Sequence, residues 1–291
     1  MLRIATRGSA LALTQAGQVA EMLGGAELVE VSSDGEPGDK SRFVRGVERA
    51  LLAGEAEVGV HSAKDLPGEM PAELEIAAVP AREDPADAWI GAGASLEDAP
   101  EGARVGTVSL RRKAQLLAAR PDLEVLDLNG NVDTRLRKLA EGELDAIVLA
   151  AAGLRRLGRE AEIGFRIPED RMVPAAGQGA LALQVRTGDE ESAAAARAIG
   201  DAAAFAELRA ERACFTRLEA DCSTPIGVHA KLSDGALRIG AFVGLPDGGE
   251  WIRDELEADA GDPEAAGTEL AKRLLGAGAA DLLARAAEQA P

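Results

Sequence analysis

Between Arg104 and Arg159 the chain repeats one unit three times: a short apolar run, a polar turn, then a segment with helical spacing. Val105-Gly106-Thr107 leads into a helix that opens at Ser109 and runs to about Arg120. Leu123 to Leu128 leads through Asn129-Gly130-Asn131 into a helix over Val132 to Glu141. Asp145 to Ala150 leads into Gly153-Leu154-Arg155-Arg156-Leu157-Gly158. Such alternation requires strands joined by crossover helices, which makes the fold class α/β. The N-terminal part carries the same alternation. Strands are expected at Leu2 to Ala5, Glu27 to Ser32, Val58 onward and Leu74 to Val79, with helices from Leu11 to Leu23 and from Phe43 to Leu52. Arg82 to Trp89 reads as a crossing between two lobes, and Val173 to Leu183 as the return into a buried strand.

The polar residues gather at the ends of these strands. Val58-Gly59-Val60 turns abruptly into His61, Ser62, Lys64 and Asp65, and Pro67 stops any helix from continuing. In open α/β sheets that strand edge is where ligands bind; the plainer reading is a solvated turn. Thr6-Arg7-Gly8-Ser9 brings an arginine, a hydroxyl and the N–H groups of a helix start together, with Ser9 as N-cap. Arginines stand at or near three further helix starts, at Arg111-Arg112, Arg135 and Arg155-Arg156. A helix N-terminus favours anions, and a guanidinium adds a bidentate clamp for carboxylates. From Arg104 to Arg159 there are eleven Lys/Arg against seven Asp/Glu, in a chain of net charge −18. A basic island in an acidic protein suits a small polyanion; the alternative is helix faces laced with ion pairs. No glycine-rich dinucleotide or P-loop pattern occurs.

The acidic balance argues against nucleic acid or an anionic membrane as partner. No apolar run has membrane length, and the N-terminus reads as a strand rather than a leader, so a cytoplasmic protein is expected, soluble and monomeric. Aromatics are only 2% of the 291 residues, so the cores must be built from Leu, Val, Ile and Ala. The last third reads as a small α+β domain. Ala193 to Cys214 has helical spacing, Leu237 to Val243 and Glu250 to Leu256 form a hairpin around Pro246-Asp247-Gly248-Gly249, and an Ala/Leu helix runs from about Pro263 to Ala287. Two cysteines are too few for a disulfide framework. Cys214 sits among apolar helical positions and reads as packing, whereas Cys222 lies in a polar loop.

Several stretches, in order along essentially the whole chain, resemble the porphobilinogen deaminase (hydroxymethylbilane synthase) family. They are Arg3 to Arg7 with Leu11-Ala12-Leu13, Val60 to Asp65, Arg82 to Pro85, Ser109 to Arg112, Gly130 to Arg135, Leu149-Ala150 with Gly153-Leu154, Gly177 to Ala180, Glu211-Arg212-Ala213 and the Cys222 loop with Pro225-Ile226-Gly227. The resemblance implies two similar lobes like those of type II periplasmic binding proteins, with mixed sheets flanked by helices, plus a small C-terminal α+β domain. The implied division is 1–84 with 180–199, 85–179, and 200–291.

It also implies a transferase that condenses four porphobilinogen molecules head to tail, releasing ammonia each time, and hydrolyses off linear hydroxymethylbilane. The primer would be a dipyrromethane cofactor, fixed by a thioether to Cys222. Asp65 matches the catalytic aspartate. Lys64, Ser109, Arg111, Arg112, Asn131 and Arg135 fall on cofactor-binding positions. Arg7, Ser9, Gln15, Thr107, Arg156 and Gln178 fall on substrate-binding positions. No metal is implied. Three departures stand out: Asn129 replaces the usual arginine before Gly130-Asn131, Val108 replaces a serine, and the loop from Asp34 to Arg42 is short, with Lys40 its only lysine.

Overall fold

The computed structural model describes residues 1–32, 42–221 and 224–289. Cys222 and most of the Asp34–Arg42 loop lie outside the described residues. The first lobe contains β1 (Arg3–Arg7), α1 (Ala10–Met22), β2 (Glu27–Val31), α2 (Arg42–Leu52), β3 (Val58–Ser62) and β4 (Leu74–Ala78). The second contains β5 (Asp87–Gly91), β6 (Arg104–Gly106), α3 (Leu110–Ala119), β7 (Glu124–Leu126), α4 (Val132–Ala140), β8 (Ala146–Ala150), α5 (Ala151–Arg156) and β9 (Phe165–Ile167). The chain then returns through β10 (Leu181–Arg186) and α6 (Glu190–Ala198). The C-terminal unit is α7 (Ala202–Arg217), β11 (Ile226–Ser233), β12 (Ala236–Gly244), β13 (Trp251–Asp259), α8 (Pro263–Gly276) and α9 (Ala279–Glu288). Among the described residues no helix is long and apolar enough to cross a membrane.

The two five-stranded sheets share one topology. Their orders are β2-β1-β3-β10-β4 and β7-β6-β8-β5-β9. In each, the first three strands are parallel and the fourth runs antiparallel to both its neighbours. That fourth strand arrives from the other lobe: β5 follows the outward crossing and β10 follows the return. Each lobe is therefore completed by chain that has just crossed, and the two crossings run side by side. At Gly179, where φ is +87°, a Cβ would come within 2.1 Å of the Glu83 carbonyl oxygen, so only glycine lets them touch. The chain is α/β, with two mixed sheets flanked by helices and a small C-terminal unit whose three-stranded antiparallel sheet packs against α7 and α8.

Three expectations change in detail. The helix read from Ala193 to Cys214 is two, because Gly200 interrupts it and the Asp201 side chain starts α7 afresh by accepting the Ala204 N–H at 2.8 Å. The closing helix is also two, broken at Gly278, which takes a left-handed φ of 103°. The Arg82–Trp89 crossing ends in β5; in addition Ile226–Ser233, to which the sequence reading assigned no element, forms the first strand of the C-terminal sheet.

One buried carboxylate joins the units. Glu211 on α7 is fully buried. Its oxygens accept from Arg82 at 2.7 and 3.2 Å, from the Gly177 N–H at 2.6 Å and from the Ala230 N–H at 2.8 Å, and lie 3.1 Å from His229 Nδ1. Burial alone would raise its pKa, but Arg82 and His229 outweigh that and hold it at about 2. His229 also contacts Glu169 of the second lobe at 3.1 Å. Burial and Arg82 oppose charge on this imidazole; Glu169 and Glu211 prevail and push it up to about 9.

A raised histidine pKa makes stability pH-dependent with a definite sign. The contribution is fully present below the unfolded value near 6.5 and is lost as pH rises through about 9. Urea unfolding should therefore show stability falling by about 2–3 kcal/mol from this group between pH 6.5 and 10. His229→Gln should lack that component, and an unchanged pH profile in the variant would remove His229 from the junction's energetics.

Candidate active site

The cleft between the lobes holds two adjoining cavities, of about 640 Å³ and 260 Å³. Lys64, Asp65, Val108, Arg112 and Arg135 line both. Arg7, Ser9, Gln15, Asn131 and Arg156 face the larger; Ser109, Arg111 and Gln178 face the smaller. Twelve of the fourteen residues singled out in the sequence thus converge. Thr107 does not: it is buried, and its hydroxyl accepts the Ser109 N–H at 3.2 Å behind the cavity wall. Cys222 is the other, outside the described residues. Val108 and Asn129 both face the larger cavity, so an arginine at position 129 would point into it.

Parallel strands produce this convergence. β1, β3, β6, β7 and β8 end at the cleft, and the next helix begins there. Ser9, Ser109 and Asn131 cap α1, α3 and α4 by accepting the N–H groups of Ala12, Arg112 and Thr134 at 3.3, 3.4 and 2.9 Å. Their remaining N–H groups and dipoles face the cleft, where negative charge is stabilised. Of the polar cluster at the end of β3, Ser62, Lys64 and Asp65 reach the cavities. His61 turns into the lobe, 2.9 Å from Gln184, and burial pushes its pKa down to about 4, so it serves as a neutral structural residue. Ser62 and Gln15 hold one another, with contacts of 2.9 and 3.1 Å.

The cations fall into two groups. Arg104, Arg120, Arg137, Arg155 and Arg159 pair with Asp145, Asp122, Glu141, Glu83 and Asp133, so for them the ion-pair reading holds. A second set faces the cleft with little counter-charge. Lys64 has no hydrogen-bond or ion-pair partner among the described residues; burial first, then neighbouring Arg112, pushes it down to about 8. Arg135 spends only its Nε, on the Gly130 carbonyl at 2.8 Å, and burial with Arg112 pushes it down to about 10. Arg156 donates to the Gly179 carbonyl at 2.8 Å, and burial lowers its pKa too. Asp65 is held by Arg7 at 3.3 Å and keeps 31% of its side chain exposed, so the carboxylate is open to a ligand.

Arg111 and Arg112 are positioned by a residue the sequence reading missed. Asp87, at the start of β5, is fully buried. It accepts from Arg111 at 2.7 and 3.1 Å, from Arg112 Nε at 2.8 Å and from Gln178 Nε2 at 3.0 Å. Burial would raise its pKa, yet the two guanidiniums hold it well below the usual carboxylate range. Arg111 also donates to the Val173 carbonyl and Arg112 to that of Val148, so both are partly spent on structure. The available signal was an acid opening the apolar run Ala88-Trp89-Ile90: a charge there must be paired. Asp87→Asn should leave both arginines buried without counter-charge and lower stability by about 3–5 kcal/mol in urea unfolding; a loss below about 1 kcal/mol, as for an exposed pair, would show that the site does not depend on it.

Residues 2–194 match the family described as porphobilinogen deaminase, dipyromethane cofactor binding domain, and residues 205–276 match the porphobilinogen deaminase C-terminal domain. The porphobilinogen deaminase of Thermus thermophilus is 45% identical over 294 residues, covering 97% of this chain and 98% of that one. That of Thiobacillus denitrificans is 44% identical over 299 residues, covering 97% of each. Among solved structures, a TRAP periplasmic solute binding protein from Desulfovibrio salexigens is 11% identical, with a TM-score of 0.41 over 68% of this chain and 72% of its own. The chain belongs to the porphobilinogen deaminase family.

Proposed function

We propose that the cleft described above is where this enzyme works as a hydroxymethylbilane synthase, with Asp65 as its catalytic carboxylate and Cys222 as the attachment point of the dipyrromethane. The observation that carries the reading is the set of under-compensated cations, Lys64, Arg135 and Arg156, around an accessible Asp65. Porphobilinogen bears an acetate and a propionate beside a ring that becomes cationic when ammonia leaves. It needs clamps for carboxylates and one carboxylate for the cation, and the cleft supplies both.

The residues fit the cofactor. Lys64, Ser109, Arg111, Arg112 and Arg135 place donors around the smaller cavity, where the acid side chains of two pyrroles require them. Gln178 Oε1 is the one buried side-chain oxygen without a donor among the described residues, and a pyrrole N–H would satisfy it. When bound, the dipyrromethane supplies the pyrrole terminus from which the chain grows. Asn131 caps α4 at the edge of the larger cavity. Arg7, Ser9, Gln15 and Arg156 hold the incoming substrate's carboxylates there. Thr107 acts from behind by fixing the Ser109 backbone. Asp65 holds the substrate ring N–H, stabilises the positive charge as the amine departs and moves protons at that centre.

The division 1–84 with 180–199, 85–179, and 200–291 follows the membership of the three sheets and puts β10 with the first lobe. A net charge of −18 favours a monomer that repels its own copies.

Intact mass of the denatured protein tests the attachment. The expected mass exceeds the 30.0 kDa polypeptide by two linked pyrrole units, and Cys222→Ser should lose the increment. An increment that survives in the variant would move the attachment elsewhere. Asp65→Ala should keep the fold and lower porphobilinogen turnover by on the order of 10²–10⁴-fold, the range of a lost proton-transfer group. Turnover within a few-fold of the unsubstituted enzyme would sink the assignment of Asp65.

A further inference from the structure

The stretch Glu211-Arg212-Ala213 carries an arginine with no task so far in the proposed reaction. Arg212 lies on α7 and lines the smaller cavity together with Lys64 and Asp65. It has no carboxylate partner among the described residues, and burial lowers its pKa. Its Nη2 donates to the Pro67 carbonyl at 2.9 Å and to the Gly68 carbonyl at 3.0 Å. These carbonyls stand two and three residues after Asp65. One turn further along α7, the Thr216 hydroxyl donates to the same Gly68 carbonyl at 3.4 Å. The start of the segment is held by the preceding residue of α7. Gly177 packs there: a Cβ on it would lie 2.8 Å from the Ala63 carbonyl carbon and 2.9 Å from the Lys64 nitrogen. Glu211 binds the Gly177 N–H at 2.6 Å. Glu211 and Arg212 thus grip the two ends of the segment that presents Asp65.

We propose that Arg212 is a positioning residue for Asp65, through which the C-terminal unit fixes the carboxylate toward the reacting ring. The proposal rests on the reading that Asp65 is the catalytic carboxylate. Asp65 ends a single turn of 3₁₀-helix, Ala63–Asp65, closed by the Leu66 N–H on the Ala63 carbonyl at 3.2 Å. Such a turn is weakly bonded. Pro67 follows and has no N–H with which to tie the chain down. Beyond Leu66, the holds on Asp65 from its C-terminal side are the bonds that Arg212 and Thr216 give to the Pro67 and Gly68 carbonyls. A charged donor makes the stronger bonds of these. With no acid beside it, the guanidinium is not drawn away from the two carbonyls. A carboxylate must lie within a fraction of an ångström of its productive place to stabilise a cation that exists only briefly. α7 supplies that precision from outside the lobe to which Asp65 belongs.

Three substitutions separate positioning from carboxylate binding. Arg212→Met keeps the aliphatic stem and removes the donors. Arg212→Lys keeps a cation whose one nitrogen can serve both carbonyls, as Nη2 does. Gly68→Val leaves Arg212 intact and disturbs the seat instead, because even a Cβ there would lie 3.0 Å from Thr216 Oγ1. Each full chain is prepared as holoenzyme, its primer is checked by intact mass, and porphobilinogen turnover is measured. In Arg212→Met and Gly68→Val, kcat is expected to fall on the order of 10–10²-fold, the scale of a misplacement of about 1 Å. KM should stay within a few-fold, and the primer increment should remain. Arg212→Lys should recover most of the loss. An unchanged kcat in Arg212→Met overturns the proposal; if that chain fails to fold, an unchanged kcat in Gly68→Val overturns it equally. A raised KM at unchanged kcat, or loss of the primer increment, also overturns it and makes Arg212 a carboxylate clamp. Equal slowing of Arg212→Lys and Arg212→Met overturns the role of the carbonyl bonds. Near-normal turnover by Asp65→Ala would instead overturn the underlying reading, whatever Arg212 does.

Discussion

The buried carboxylate of Glu211 is the contact on which the arrangement of this molecule depends. Each five-stranded sheet takes its fourth strand from chain that has just crossed, so two crossings must lie together at the base of the cleft. Their backbone groups cannot all enter a ladder, and buried polar groups left unpaired are costly. Glu211 accepts the Gly177 N–H of the return crossing, the Arg82 guanidinium of the outward one and the Ala230 N–H of β11. Asp87 acts likewise on the cleft side, binding α3 through Arg111 and Arg112 and the return crossing through Gln178. Desolvating two carboxylates is expensive, and the bonds are favourable only in near-ideal geometry. That demand fixes the two lobes and the C-terminal unit by direction as well as by contact.

Legibility in the sequence follows the range of the interactions. Strand-to-helix alternation, the Ser9 cap, the arginines near helix starts and the polar cluster at the end of β3 are local signals that located both lobes and much of the cleft, whereas Gln15, Asn131 and Gln178 were picked out only by the family resemblance. The breaks at Gly200 and Gly278 were legible as glycines but were hidden inside strong Ala/Leu periodicity, which does not reveal whether a helix restarts in line. β11 went unread because its partner, β12, comes later in the chain and supplies its register. Asp87 was missed for a similar reason: its three partners lie 24, 25 and 91 residues away. Thr107 fell in a matching motif, yet alternation along β6 and its turn places its side chain behind the wall.

The basic island shows why a net charge count could not decide between two readings. Five of its arginines are spent on carboxylates at the surface, where each pair contributes little. Arg111 and Arg112 are largely spent on Asp87 and on carbonyls. Of the rest, Arg135 and Arg156 face the cleft, joined there by Lys64 of the first lobe, and burial lowers the pKa of all three.

A lowered pKa on a cation is a statement about the group that is missing from its surroundings. Lys64, at about 8, is disfavoured as an ammonium by burial and by Arg112 more than Asp65 and Asp87 can restore. A carboxylate placed beside it would reverse that balance, holding Lys64 charged and relieving Arg135 together, since Arg112 depresses both. Carboxylate binding therefore gains from the removal of repulsion already present in the protein as well as from new contacts. The crossings carry this electrostatic strain because Glu211 and Asp87 fix the walls and prevent the cations from separating. The directional bonds that determine the architecture are thus also what keeps the cleft receptive to a ligand rich in carboxylates.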